Sequence, residues 1–124
     1  MQPSQASIYR ATERLLHFAI GVAERLPKSL PYKVLGERMI VEIMESLDCI
    51  VLAFQVKNGS ARLEFINALI MRMTSVKTTF RVFVENRNSQ LSQKQHEEFL
   101  RLITAVSTQA GAWRSKNTMD AQNV

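Results

Sequence analysis

Lys77 and Arg81 stand one helical turn apart, the spacing at which two cations can act on one ligand. Side chains four residues apart share a helix face, so the pair can meet neighbouring phosphates of a polyanion. The segment around them is the most basic of the chain. Residues 61–88 hold Arg62, Arg72, Lys77, Arg81 and Arg87 against two acidic residues, within a total of 16 basic and 11 acidic residues and a formal net charge of +5. Arg72 lies on the other flank of the same helix and joins Lys77 and Arg81 as a candidate nucleic-acid-binding residue. Arg14, on the first helix, is a weaker fourth. No aromatic residues interleave with these cations, so a stacking platform for single strands is not expected there. Trp113 and Phe99 are expected in the core instead.

Other reactive residue types are too sparse or wrongly spaced for catalysis. There is no glycine-rich phosphate loop, HExxH, GxSxG or CxxC pattern. Glu42 with Glu45, and Glu97 with Glu98, are carboxylates on helices that lack the Glu-x-x-His pattern of a di-metal bundle. One cysteine and two histidines make neither a disulfide nor a zinc cluster. No catalytic residue, metal or cofactor is expected. One enzymatic pattern does occur: Arg10 and His17, with six residues between, fit the Arg-to-His spacing of helical ribonucleases of the nucleotide-binding HEPN type. Those enzymes carry the pair late in the helical domain and here it lies in the first helix, so a ribonuclease is the third reading of this chain.

The elements that position these residues are helical nearly throughout, because apolar residues recur at steps of three, four and seven. Four helices are expected, at about residues 4–26 (opening at Ser4 or at Ser7), 31–57, 61–88 and 92–114. Pro27 stops the first, and Pro31 opens the second. Asn58-Gly59 suits a left-handed cap at the end of the second, with Ser60 capping the third. Residues 86–91 read as a polar link. Ser92 and Gln95 form a capping box for the fourth helix. The core stripes are Ile8, Leu15, Ala19, Val22 and Leu26 on the first helix, and Ile40, Ile43, Met44, Leu47, Ile50, Val51 and Phe54 on the second. Leu69, Met73, Val76, Phe80 and Phe83 follow on the third, then Phe99, Leu102, Ile103, Val106, Ala110 and Trp113 on the fourth. Gly111 is expected to permit close helix approach beside Trp113. Short connections make neighbours antiparallel, so the fold class is all-α, an up-down-up-down four-helix bundle forming a single domain over residues 1–116, with 117–124 a frayed tail.

Helices 2 and 3 carry more apolar residues than one stripe needs. Val41, Cys49, Leu52 and Val56 lie off the inner line of helix 2, and Met71 and Val82 off that of helix 3. Such a second face is expected to be covered by another copy of the chain, making a homo-oligomer with these six residues at its interface. With 46% hydrophobic and 22% charged residues, the composition excludes a disordered chain. The longest apolar runs, Leu15 to Ala23 and Cys49 to Val56, are shorter than the roughly 20 residues of a membrane span. The opening Met1-Gln2-Pro3-Ser4 lacks the features of a secretory signal. No membrane partner and a cytoplasmic location are expected.

Leu26-Pro27-Lys28, followed by Leu35-Gly36-Glu37-Arg38, resembles the start of helix 2 in small bacterial four-helix-bundle proteins. These are the accessory variability determinants of diversity-generating retroelements and the related ribosomal RNA intervening-sequence proteins. Leu91-Ser92-Gln93-Lys94-Gln95-His96 and Ala110-Gly111-Ala112-Trp113 resemble the start of helix 4 and the Gly-Gly-Trp end of the accessory group, with Ala112 in place of the second glycine. The pattern spans most of residues 8–116. The Asn-Ile-Ala-Glu stretch associated with intervening-sequence proteins is absent, which makes the accessory group the nearer likeness. The resemblance implies a homopentamer with a basic surface that binds RNA or DNA and a reverse transcriptase. The leading expectation is a non-catalytic nucleic-acid-binding accessory protein, and the alternative is a structural or regulatory homo-oligomer.

Overall fold

The computed structural model describes residues 2–85 and 91–122. It consists of a 3-10 turn, Pro3–Gln5, and four helices: α1 (Ser7–Arg25), α2 (Tyr32–Gln55), α3 (Gly59–Glu85) and α4 (Gln93–Gln122). Among the described residues there is no strand. Each helix packs against the next in sequence, and α1 closes the ring against α4. Residues 86–90, Arg87 among them, lie outside the described residues, and with them most of the expected link 86–91.

Of the two starts expected for the first helix, Ser4 and Ser7, the structure has the second. Ala6 is extended, with ψ 141°, so the 3-10 turn and α1 are separate elements. At its other end Leu26 is extended too, as a residue preceding proline must be. Between α2 and α3 the expected left-handed glycine cap does not form. No glycine has positive φ, Val56 ends α2 in an extended conformation, and Gly59 is already helical. Asn58, not Ser60, caps α3: its Oδ1 accepts the Ser60 N–H at 2.7 Å, and its carbonyl accepts the Arg62 N–H. The capping box of α4 is present, with Ser92 N–H donating to Gln95 Oε1 (3.0 Å) and Gln95 N–H to Ser92 Oγ (3.1 Å).

Residues 117–122, expected in a frayed tail, are helical. α4 runs to Gln122, and Asn117 is buried, its Nδ2 donating to Gly59 O at 3.0 Å. That bond ties the last turns of α4 to the first turn of α3. Gly111 does not mark a close approach, since a Cβ there would meet nothing within 4 Å. Gly36 is the packed glycine, buried on α2 with Leu26 and Ala23 at ordinary contact distance from where a Cβ would be.

Phe80 of α3 and Phe99 of α4 stack in the core at 4.5 Å between ring centroids, and Phe18 of α1 meets Phe99 edge-on at 5.7 Å. Tyr32 and Phe83 stack at 6.4 Å between α2 and α3. On α2 the buried line is Tyr32, Gly36, Met39, Ile43, Ser46, Ile50, Ala53. That line is rotated from the expected stripe, and Met44 (51% exposed) and Phe54 (37%) leave the core. Ser46 can be buried because its hydroxyl donates to Glu42 O at 2.8 Å. No helix among the described residues is long and apolar enough to cross a membrane.

Candidate nucleic-acid interface

Burial of Met73, Val76, Phe80 and Phe83 fixes the rotation of α3, and that rotation turns Lys77 and Arg81 toward α4. Both are exposed and lie about 6 Å apart along the helix axis. They line an open groove of about 450 Å³ between α3 and α4, with Thr74 and Thr78 on one wall, Ser107 on the other and Met73 in the floor. The threonine hydroxyls donate to the backbone, Thr74 Oγ1 to Ile70 O (3.0 Å) and Thr78 Oγ1 to Thr74 O (2.9 Å), which holds those side chains in place. An adjoining depression of about 350 Å³ shares Lys77 and Arg81 and adds Phe80, Glu85, His96 and Leu100. His96 packs edge-on against Phe80 at 5.3 Å. Among the described residues no ion pair occupies the charge of Lys77 or Arg81, and Glu85 lines the second depression without bridging to either.

Arg72 differs from them in kind. Its Nη1 lies 2.7 Å from Glu45 and 3.3 Å from Glu42, bridging α3 to α2 on the opposite flank. The hydrogen bond to Glu42, reinforced by the field of Glu45, raises its pKa and holds it protonated. Two carboxylates neutralise it locally, so it is not brought together with Lys77 and Arg81. Arg62 is occupied as well. Its Nε donates to Ala53 O (3.1 Å) and its Nη2 to Val56 O (2.8 Å), satisfying carbonyls at the end of α2. Arg14 is exposed on α1 and lines neither the groove nor the depression beside it. Arg10 and His17 are exposed on that same helix, seven residues apart. No group of three or more His, Cys, Asp or Glu able to hold a metal occurs among the described residues.

Of the six residues expected at a subunit interface, Val41 (50% exposed), Leu52 (41%), Met71 (72%) and Val82 (46%) are exposed, while Cys49 and Val56 are half-buried. Val34 and Met44 belong with them on the outside of α2. Burial pushes the Cys49 thiol above its ordinary range, with Arg72 opposing, so the unreactive thiol form is favoured.

Sequence reasoning missed a second cluster. Trp113 is only half-buried and packs at 5.2 Å on Phe54, itself partly exposed, and with Arg62, Lys116 and Asn117 they line a depression of about 310 Å³. Phe54 and Trp113 are 59 positions apart, and nothing in either local pattern pairs them. The chain matches no protein-family model, no curated protein and no solved structure.

Proposed function

We propose that this protein is a non-catalytic accessory subunit that binds RNA or DNA along the α3–α4 groove, acting in the cytoplasm as a homo-oligomer. One observation carries the reading: Lys77 and Arg81 are adjacent, exposed and without an acidic partner among the described residues, on a groove walled by hydroxyls. Such a surface suits phosphates, which Lys77 and Arg81 bind as charges and the Ser107 hydroxyl as a hydrogen-bond donor, the Thr74 and Thr78 protons being already given to backbone carbonyls. The motifs of α2 and α4 quoted above favour a pentamer and a reverse transcriptase as protein partner. An up-down-up-down course of the helices fits the contacts that bring Arg72 to Glu42, Phe80 to His96 and Asn117 to Gly59. The exposed apolar residues of α2 and α3 favour a second reading, a structural oligomer whose partner is protein.

Fluorescence anisotropy with RNA and DNA at several salt concentrations tests the first reading. Binding should weaken steeply with salt, each phosphate contact contributing about −0.9 to the logarithmic slope on duplex DNA. Lys77→Glu combined with Arg81→Glu should remove most of the affinity while leaving helicity and assembly size unchanged. A wild-type protein that fails to bind at low salt would leave the structural reading.

A further inference from the structure

Phe54 and Trp113 sit where α2 ends and α4 approaches its own end, in a depression that shares no lining residue with the α3–α4 groove. Two aromatic rings meet at 5.2 Å with 38° between their planes, and both border the open volume. The remaining lining residues are two cations and an amide, Arg62, Lys116 and Asn117, with no carboxylate among them. Aromatic faces beside positive charge, without an acid, select a ligand that is both planar and anionic. Single-strand binding proteins use this combination, with bases stacked on rings and the backbone held by cations.

The walls are held in position by bonds already made. Arg62 spends two of its five N–H donors on Ala53 O and Val56 O, which fixes its guanidinium and leaves three donors. Asn117 is buried and bonded to Gly59 O, so the turn of α4 bearing Lys116 is anchored to the start of α3. Lys116 itself is exposed and makes no ion pair among the described residues. The volume of about 310 Å³ is at the small end of ligand pockets, the size of one nucleotide and not of an extended chain.

We propose that this depression is a nucleotide subsite, in which an unpaired base stacks on Trp113 and Phe54 while Lys116 and the free donors of Arg62 take its phosphate. The proposal rests on the nucleic-acid reading above for its source of nucleotides, a single strand, and a free mononucleotide offers the same chemistry. Assigned this way, the molecule would bind backbone along the groove and an unpaired base at the end of the bundle, and so prefer single strands or strand ends to duplex.

Trp113 is the chain's single tryptophan, so intrinsic fluorescence reports directly on this site. The protein is titrated at low salt with short oligoadenylate, with a duplex of equal length and with adenosine monophosphate, and anisotropy of labelled strands is followed in parallel. Oligoadenylate should quench Trp113 saturably, and the duplex should bind with little quenching. Lys116→Glu, an exposed substitution, should weaken the quenching titration about tenfold or more, as should loss of the ring in Trp113→Leu when followed by anisotropy. Binding by anisotropy that Lys77→Glu with Arg81→Glu abolishes, without any change in Trp113 emission, would overturn the subsite and leave the groove. Equal quenching by duplex and single strand would also overturn it. Quenching by the mononucleotide without any strand binding would establish the subsite with a free nucleotide as its ligand and defeat the nucleic-acid reading. Neither quenching nor strand binding would defeat both.

Discussion

The basic residues of segment 61–88 look alike as letters, and the fold divides the four on α3 by what stands opposite. Arg72 faces Glu42 and Glu45 across the α2–α3 seam, Arg62 faces the open carbonyls at the end of α2, and Lys77 and Arg81 face the groove. Arg87 lies outside the described residues. Spacing could reveal Lys77 and Arg81 as a pair because four residues is a property of the helix itself. It could not reveal the partners of Arg72 or Arg62, which come from another helix. This division makes Arg72 separable by experiment. Arg72→Gln removes a cation whose charge two carboxylates already offset, so the salt slope of nucleic-acid binding should stay as in the wild type. Lys77→Gln removes one that has no ion pair among the described residues and should reduce the slope by about 1. Losing Arg72 also leaves Glu42 and Glu45 facing each other, so that variant should melt somewhat earlier. Parallel salt titrations and thermal melts check both outcomes, and an equal loss of slope in the two variants would mean that Arg72 binds phosphate despite its carboxylates.

The helices themselves were legible, because three of the four core stripes follow from large apolar residues at steps of three and four. α2 was rotated in the reading because its buried line includes Gly36, Ser46 and Ala53, residues too small to register as hydrophobic signal. Their steps of three and four are as regular as those of any apolar stripe, and they occupy the face where α2 packs on α1 and α3. Counting only large apolar residues therefore moved Met44 and Phe54 inward and hid half of the aromatic pair at the bundle end. Helix ends were harder still, since Asn58-Gly59-Ser60 offers three competing caps within three residues and tertiary packing selects among them. Asn58→Ala should cost about 1 kcal/mol by losing the bond to the Ser60 N–H, whereas Ser60→Ala should be close to neutral. Gly111→Ala should stabilise by about 0.5 to 1 kcal/mol, because the added methyl meets nothing and glycine is a poor residue inside a helix. Denaturant melts of the three variants test the set, and a destabilised Gly111→Ala would mean that another chain approaches α4 there.

At the scale of the whole molecule, α3 separates two surfaces. Lys77 and Arg81 lie on its α4 side, while Met71 and Val82 are exposed opposite the buried line of α3, as Val34, Val41 and Leu52 are on the neighbouring α2. On α2, positions 34, 41 and 52 recur at seven and eleven residues, so all three fall close to the line opposite the buried one. Glu45 and Asp48 interrupt that surface, and Glu45 is engaged by Arg72, which lowers the cost of covering it. A second copy seated here would leave the α3–α4 groove open, and repeating the subunit would multiply a pair of cations into an extended basic track, gaining affinity through multivalency without any new contact. The protein should therefore scatter light as a particle several times its 14.1 kDa chain mass at micromolar concentration. Leu52→Glu should dissociate it, since a carboxylate desolvated without a partner costs several kcal/mol. The same variant should lose nucleic-acid affinity through lost multivalency although every basic residue remains, and this distinguishes it from Lys77→Glu with Arg81→Glu, which should lose affinity while staying assembled. Helicity of the dissociated Leu52→Glu protein should match the wild type, because position 52 lies outside the buried core. A wild type of chain mass would leave the apolar face to a different protein, and a Leu52→Glu variant that remained assembled would place the subunit contact away from α2.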